Sequence, residues 1–180
     1  MLYVKNNLHA TLDEKLMEMK FEESLWCQIK VEGEQLLIGL CYRTPTSSSG
    51  NDAELLLMLD HVISHAGSRH VMIIGDFNYP EIDYVNETVA AGETASATLF
   101  FNKTQELCLH QHVKRVTRER QGQVSSLLDY VFTEEENLID EVNYETPLGC
   151  SDHVVLTWEV AVVTEERKNL QDKYSYFKGD

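Results

Sequence analysis

Thirty acidic side chains against fifteen Lys and Arg give this 180-residue chain a formal charge of -15, the wrong sign for a domain that grips nucleic acid by overall electrostatics. An apolar fraction of 43% with only three prolines excludes an acidic disordered chain, and the length suits one domain that needs no disulfide or metal staple. Cys27, Cys41, Cys108 and Cys150 form neither a Cys-x-x-Cys pair nor a zinc spacing and read as free thiols, and no apolar run has the length of a signal peptide or membrane span. The expected setting is intracellular, in nucleus or cytoplasm, away from any membrane.

Leu25, Cys27, Ile29 and Val31 alternate with Trp26, Gln28 and Lys30, which predicts a strand over 24–32. The turn Glu32-Gly33-Glu34 leads into a second, more apolar strand over 35–42, closing an antiparallel hairpin. The turn formers of Arg43 to Asp52 predict a surface loop. Leu55, Leu59, Val62 and Ile63 then share one helical stripe, predicting a helix over 52–65 capped by Asn51. Val71 to Ile74 is a short buried strand that ends in Gly75-Asp76-Phe77-Asn78, and Leu99, Phe100, Leu107 and Leu109 mark a second helix near 95–109. Further strands are expected over 127–132 and 154–163, and the polar, charged stretch 165–180 reads as a linker or tail behind a domain spanning 1–164. Strands interleaved with helices in this order make an α/β or α+β domain.

Polar groups recur where apolar strands meet loops: Tyr42-Arg43-Thr44-Pro45, Gly75-Asp76-Phe77-Asn78, Ser126 to Phe132 with Asp129 inside it, and Ser151-Asp152-His153. Strand ends of this kind can converge on one cleft. Taken singly, each has a plain structural reading as a turn or a strand entry. Asp129 is the exception, because a carboxylate within an apolar strand needs a hydrogen-bonding partner.

In this order the segments resemble the endonuclease/exonuclease/phosphatase superfamily. The run Leu109-His110-Gln111-His112-Val113, then Val116-Thr117-Arg118, then Leu128-Asp129-Tyr130-Val131-Phe132-Thr133 is similar to the endonuclease domain of animal non-LTR retrotransposons. The tail 173–180 is similar to the junction that leads into their reverse transcriptase. The resemblance implies a four-layered α/β sandwich of the deoxyribonuclease I type, Mg2+ (or Mn2+) as cofactor, DNA as substrate held in a local cleft, and a reverse transcriptase domain as partner in a full-length polyprotein. It assigns Asp76 to orient and deprotonate a water, Asn78 to fix the water or a phosphate oxygen, and Asp152 to hold the metal. His153, held in one tautomer by Asp129, and the Tyr42 phenol would donate to the phosphate. Ser151, Thr117 and Arg118 are implied phosphate contacts, with a solvated arginine as the equal alternative. Lys114, Arg115, Arg118 and Arg120 form either a local basic grip on DNA or a solvated loop.

The pattern is incomplete at its front. Family members carry an Asn segment and then the principal metal-ligand Glu, both upstream of a Gly-Gly-Val-x-Leu-Tyr-Val strand, whose end Met1-Leu2-Tyr3-Val4 resembles. Neither residue has a counterpart, and Glu14, Glu18, Glu22 and Glu23 fall on the wrong side of that strand. The expectation is an amino-terminally truncated domain lacking its first strands, weakly active or inactive. The alternatives are a non-catalytic remnant that self-associates through an exposed sheet edge, and a phosphatase of small phosphorylated substrates.

Overall fold

A computed structural model describes residues 2–161 apart from Glu22, Glu32, Gln121 and Gln123. The expected tail 165–180 and its resemblance to a polyprotein junction lie outside the described residues. The first strand is β1 (His9–Leu12), which pairs antiparallel with β2 (Ser24–Val31) after a one-turn helix α1 (Glu14–Met17). Residues 2–4, which resemble the end of a family strand, lie outside the sheet. Strand β2 forms the predicted hairpin with β3 (Glu34–Tyr42), and Gly33 takes a φ of 98° in the turn, a conformation open to glycine.

Helix α2 (Ser49–Ala66) starts three residues earlier than its apolar stripe predicts. Its cap is Ser48, whose hydroxyl accepts from the Asn51 N–H, and Asn51 lies inside the first turn. The helix returns the chain so that β4 (His70–Asp76) runs parallel to β3, the geometry that a crossover helix permits. A small hairpin, β5 (Ile82–Asp83) with β6 (Thr88–Val89), and helix α3 (Ser96–Glu106) follow. The short edge strand β7 (His110–Gln111) then pairs with β8 (Asp129–Thr133), which lies antiparallel against β4. The main sheet therefore runs β1-β2-β3-β4-β8-β7. Strands β9 (Asn143–Glu145) and β10 (Val155–Thr157) form a separate pair; of the strand expected over 154–163, the described residues form this short β10 and one further bridge, Ile139 to Val160, and 162–163 lie outside them.

Period-two alternation splits the central strands between two cores. Leu37, Cys41, Val71, Ile73, Tyr130 and Phe132 face α2 and α3. Leu36, Ile38, Met72, Ile74 and Val131 face the other way, toward Val142, Tyr144, Leu156 and Trp158 of the β9–β10 side. The described residues thus stack helices, the main sheet and a second small sheet, a mixed α/β fold of the deoxyribonuclease I-like kind. On the helix side, Gly39 lies under the Trp26 ring, where a Cβ would come within 2.3 Å of the indole. On the same side, Phe77, Tyr79, Tyr84, Phe100, Tyr130 and Phe132 make an aromatic cluster with ring centroids 4.9 to 6.4 Å apart. Cys27 and Cys41 are buried strand residues, Cys108 and Cys150 are exposed, and all four thiols are free.

The buried Asp13 fastens β1 to the rest of the sheet. Its carboxylate caps α1 through the Leu16 N–H and accepts from Gln28 Nε2 and Arg69, both at 2.9 Å, while His65 Nε2 lies 3.4 Å away. Burial alone would raise its carboxyl, but the hydrogen bonds from Arg69, Gln28 and Leu16 outweigh it and hold the group below the usual range. Asp13→Asn is therefore expected to cost about 1–3 kcal/mol at neutral pH, read from urea unfolding. A carboxyl depressed in the folded state stabilises the fold above its unfolded value and loses that contribution as pH falls through the folded one. The difference between wild type and Asp13→Asn should accordingly shrink in acid.

Candidate active site

Sheet register brings three of the predicted site residues into one row. Tyr42 at the end of β3 is opposite Asp76 at the end of β4, and Asp76 is opposite Asp129 at the start of β8. Directly opposed residues point to the same face of a sheet, here the face that also carries Leu40, Ile74 and Val131. His153 immediately precedes the segment that covers this face. Its backbone bridges to Arg118, and the next N–H, of Val154, donates to the Thr117 carbonyl at 2.8 Å. The imidazole thereby reaches Asp129, with Nδ1 2.7 Å from Oδ2. Asp129 has the partner that its place in an apolar strand demands.

Asp76 and Asn78 sit together through a turn. Strand β4 stops at Asp76, and Asn78 adopts a φ of 50°, a left-handed conformation that Asn tolerates better than most residues. The Asn78 N–H donates to Asp76 Oδ1 at 3.2 Å, closing an Asx turn, and its side-chain amide donates to the Arg43 carbonyl at 2.7 Å. Phe77 between them is fully buried in the aromatic cluster. Gly75 makes the approach possible: a Cβ there would fall 1.8 Å from the Cys41 carbonyl oxygen, so no other residue fits between the ends of β3 and β4.

The residue that organises this corner is Arg43, to which sequence reasoning gives no role. Its guanidinium makes a two-pronged pair with Asp52, Nε to Oδ1 at 2.7 Å and Nη2 to Oδ2 at 3.0 Å, with both residues buried. Nη1 donates to the Asn78 carbonyl at 3.1 Å, the plane covers the Tyr79 ring at 4.0 Å, and the Arg43 N–H donates to the Asp76 carbonyl. The only sequence signal is an Arg directly after a buried strand and an Asp on the buried side of the following helix. Spacing cannot show that the two meet.

One assignment needs correction. Thr117 cannot touch a phosphate: it is fully buried, and its hydroxyl accepts the N–H groups of Leu128 and Asp129, both at 3.1 Å, so it positions Asp129. Asp152, the expected metal ligand, is engaged by Arg118, Nε to Oδ2 at 3.0 Å, and lies outside the group of potential ligands. That group is Asp76, Asp129 and His153, whose ligand atoms lie within 4.8 Å of one another. Two carboxylates suit a hard divalent cation and an imidazole extends the fit to Mn2+, so the donor set fits the expected metal. Ser151 is exposed, and its Oγ accepts the His153 N–H at 3.1 Å. Tyr42 is half exposed, at the rim of an open cleft of about 600 Å³ between Leu25, Leu40, Asp76 and Asp129. Of the basic run, Arg115 stacks over the Tyr144 ring at 4.4 Å and Arg118 joins the site; Lys114 and Arg120 are exposed.

Burial raises the Asp76 carboxyl above its ordinary range, the charge of Asp129 adds to the rise, and His153 and Asn78 oppose it. The Asp152 carboxyl is held low by its hydrogen bond from Arg118.

Similarity to known proteins agrees with this geometry. Among solved structures, the fold is similar to the endonuclease domain of TRAS1, a telomere-specific non-LTR retrotransposon, with a TM-score of 0.68 at 18% identity over 89% of this chain and 72% of that one. It is also similar to the 3′ phosphatase NExo from Neisseria bound to product DNA hairpin, at 0.58 and 14% over 88% and 72%. An AP endonuclease from Archaeoglobus fulgidus gives 0.52 and 15% over 87% and 71%. No curated protein sequence matches. These likenesses establish a shared fold. Residues 36–157 match the family described as endonuclease-reverse transcriptase, and the chain belongs to that family.

Two outcomes test the site's physical chemistry. Asp52→Asn leaves the buried Arg43 guanidinium without its counter-charge, and a loss of about 3 kcal/mol in denaturant unfolding is expected. Asp76→Asn should instead raise the melting temperature by a few degrees at neutral pH without divalent cations. A carboxyl raised in the folded state opposes folding when ionised, so this gain should fade as pH falls through the folded value. Added Mg2+ should stabilise wild type more than Asp76→Asn.

Proposed function

We propose that the chain is the DNA-nicking endonuclease domain of a retrotransposon polyprotein and hydrolyses phosphodiester bonds with Mg2+, or Mn2+ in its place. The observation that carries this reading is the meeting of Asp76, Asn78, Asp129, His153 and Tyr42 at one rim of the sheet, in a member of the endonuclease-reverse transcriptase family.

Asp76, with its carboxyl raised by burial and Asp129, is suited to orient a water and accept its proton. Asn78, tied to Asp76 through its N–H, fixes that water or a phosphate oxygen. Asp129 holds His153 by Nδ1, which leaves Nε2 to donate to the scissile phosphate. Tyr42, with its phenol half exposed beside Asp76, adds a second donor to the charge that develops on the phosphate. Asp76 and Asp129, joined by Asp152 once it is free of Arg118, would hold the cation. When bound, Mg2+ supplies positive charge at the phosphate oxygens. DNA would lie along the open cleft and Ser151 would face it, and the reverse transcriptase domain would be the covalent neighbour in the full polyprotein.

A supercoiled-plasmid nicking assay with Mg2+ tests the reading. Asp76→Ala and His153→Ala should each reduce nicking by at least about 100-fold, and Asp129→Ala should follow His153→Ala. Nicking that survives both substitutions would rule out the assigned site.

A further inference from the structure

We infer that Arg118 is a lock on Asp152: it withholds this carboxylate from cations until a DNA phosphate draws the guanidinium away, so that metal and DNA bind as a coupled pair. The inference rests on the proposed nuclease reading and adds how the site is regulated.

The backbones on both sides of the ion pair are clamped. The Glu119 N–H donates to the Asp152 carbonyl at 2.8 Å, Arg118 bridges to both Ser126 and His153, and Val154 donates to Thr117. Thr117 in turn holds Asp129. The segment around Arg118 and the Asp152-His153 segment therefore stay in place, and an exchange of partners takes place at the two side chains. Both are partly open to solvent, with 28% of the Arg118 side chain and 37% of the Asp152 side chain exposed. An ion pair this exposed is weak and readily traded.

The trade is chemically matched. A cation approaching Asp152 meets a carboxylate already neutralised by a guanidinium, and is repelled by that same positive charge. A phosphodiester offers Arg118 an equivalent anionic partner with geometry suited to the guanidinium fork. Exchange leaves no charge unpaired: Arg118 passes from carboxylate to phosphate, and Asp152 from guanidinium to metal. The released carboxylate is adjacent in sequence to His153, which touches Asp129, so it joins a donor set that already holds Asp76 and Asp129. Linkage then requires DNA to raise metal affinity and metal to raise DNA affinity by the same factor.

The test uses Mn2+ titration of the full chain by electron paramagnetic resonance, with thermal melts confirming that each variant is folded. Without DNA, Arg118→Ala and the length-preserving Arg118→Gln should bind Mn2+ about three- to tenfold more tightly than wild type. In an Asp152→Asn background the same substitutions should give no such gain, which separates release of Asp152 from general loss of a positive charge. In fluorescence anisotropy with a labelled short duplex, Mn2+ should tighten DNA binding by wild type but not by the Arg118 variants. Unchanged Mn2+ affinity in both Arg118 variants, or an equal gain in the Asp152→Asn background, would overturn the lock while leaving the nuclease site standing. Absence of any Mn2+ binding that depends on Asp76 would instead remove the underlying reading and the lock with it.

Discussion

The corner that carries Asp76 and Asn78 depends on one buried ion pair. Arg43 and Asp52 are taken out of water together, a cost that their two hydrogen bonds offset only when the geometry is good, as it is here. Because the guanidinium also reaches the Asn78 carbonyl and stacks on Tyr79, the pair joins four parts of the fold: the end of β3, the start of α2, the turn after β4 and the aromatic cluster. Asp76 and Asn78 project from that turn. Their position is thus inherited from a charge that never reaches the surface, and the strand ends are held rigidly where a site needs them rigid.

A second support lies on the other flank. Thr117 is buried beneath Asp129 and takes up the N–H groups of Leu128 and Asp129, which would otherwise be left unpaired where β8 begins. The same segment, through Arg118 and Val154, brings in the chain around His153. The imidazole and its carboxylate come from residues 24 positions apart, and backbone pairing that involves neither side chain makes them neighbours. The charge of -15 is arranged to match. Asp13 and Asp52 are paired internally and Asp152 is held by Arg118, whereas Asp76 and Asp129 face one another across adjacent strands, the condition that favours a cation between them.

Much of this was legible in the sequence where local rules apply. Alternation over 24–42 named the hairpin, and the apolar stripe of Leu55 to Ile63 named α2, although its cap is Ser48, whose hydroxyl, three residues upstream of the expected Asn51, accepts from the helix end. Asp76, Asn78, Asp129 and His153 stood out because each interrupts an apolar strand or lies next to the end of one. The illegible parts depend on distance in the chain. The phosphate contact assigned to Thr117 rests on resemblance alone, and nothing local says that it is covered. Arg43 has no role legible in the sequence because its partner is a helix residue nine positions on and its other contacts, the Asn78 carbonyl and the Tyr79 ring, come from a turn much further along.

By itself the sequence determined the α/β class, the hairpin, the two main helices and the identity of the residues at the strand ends, because periodicity and turn chemistry are encoded within a few positions. Family membership was also readable there, since it rests on the order of short motifs. Only the tertiary structure decided which of those residues share a row, which carboxylate has an arginine and which has a histidine, and which hydroxyl is buried. Those outcomes follow from sheet register and from the burial of Arg43 with Asp52, and both arise between segments that are far apart in the chain.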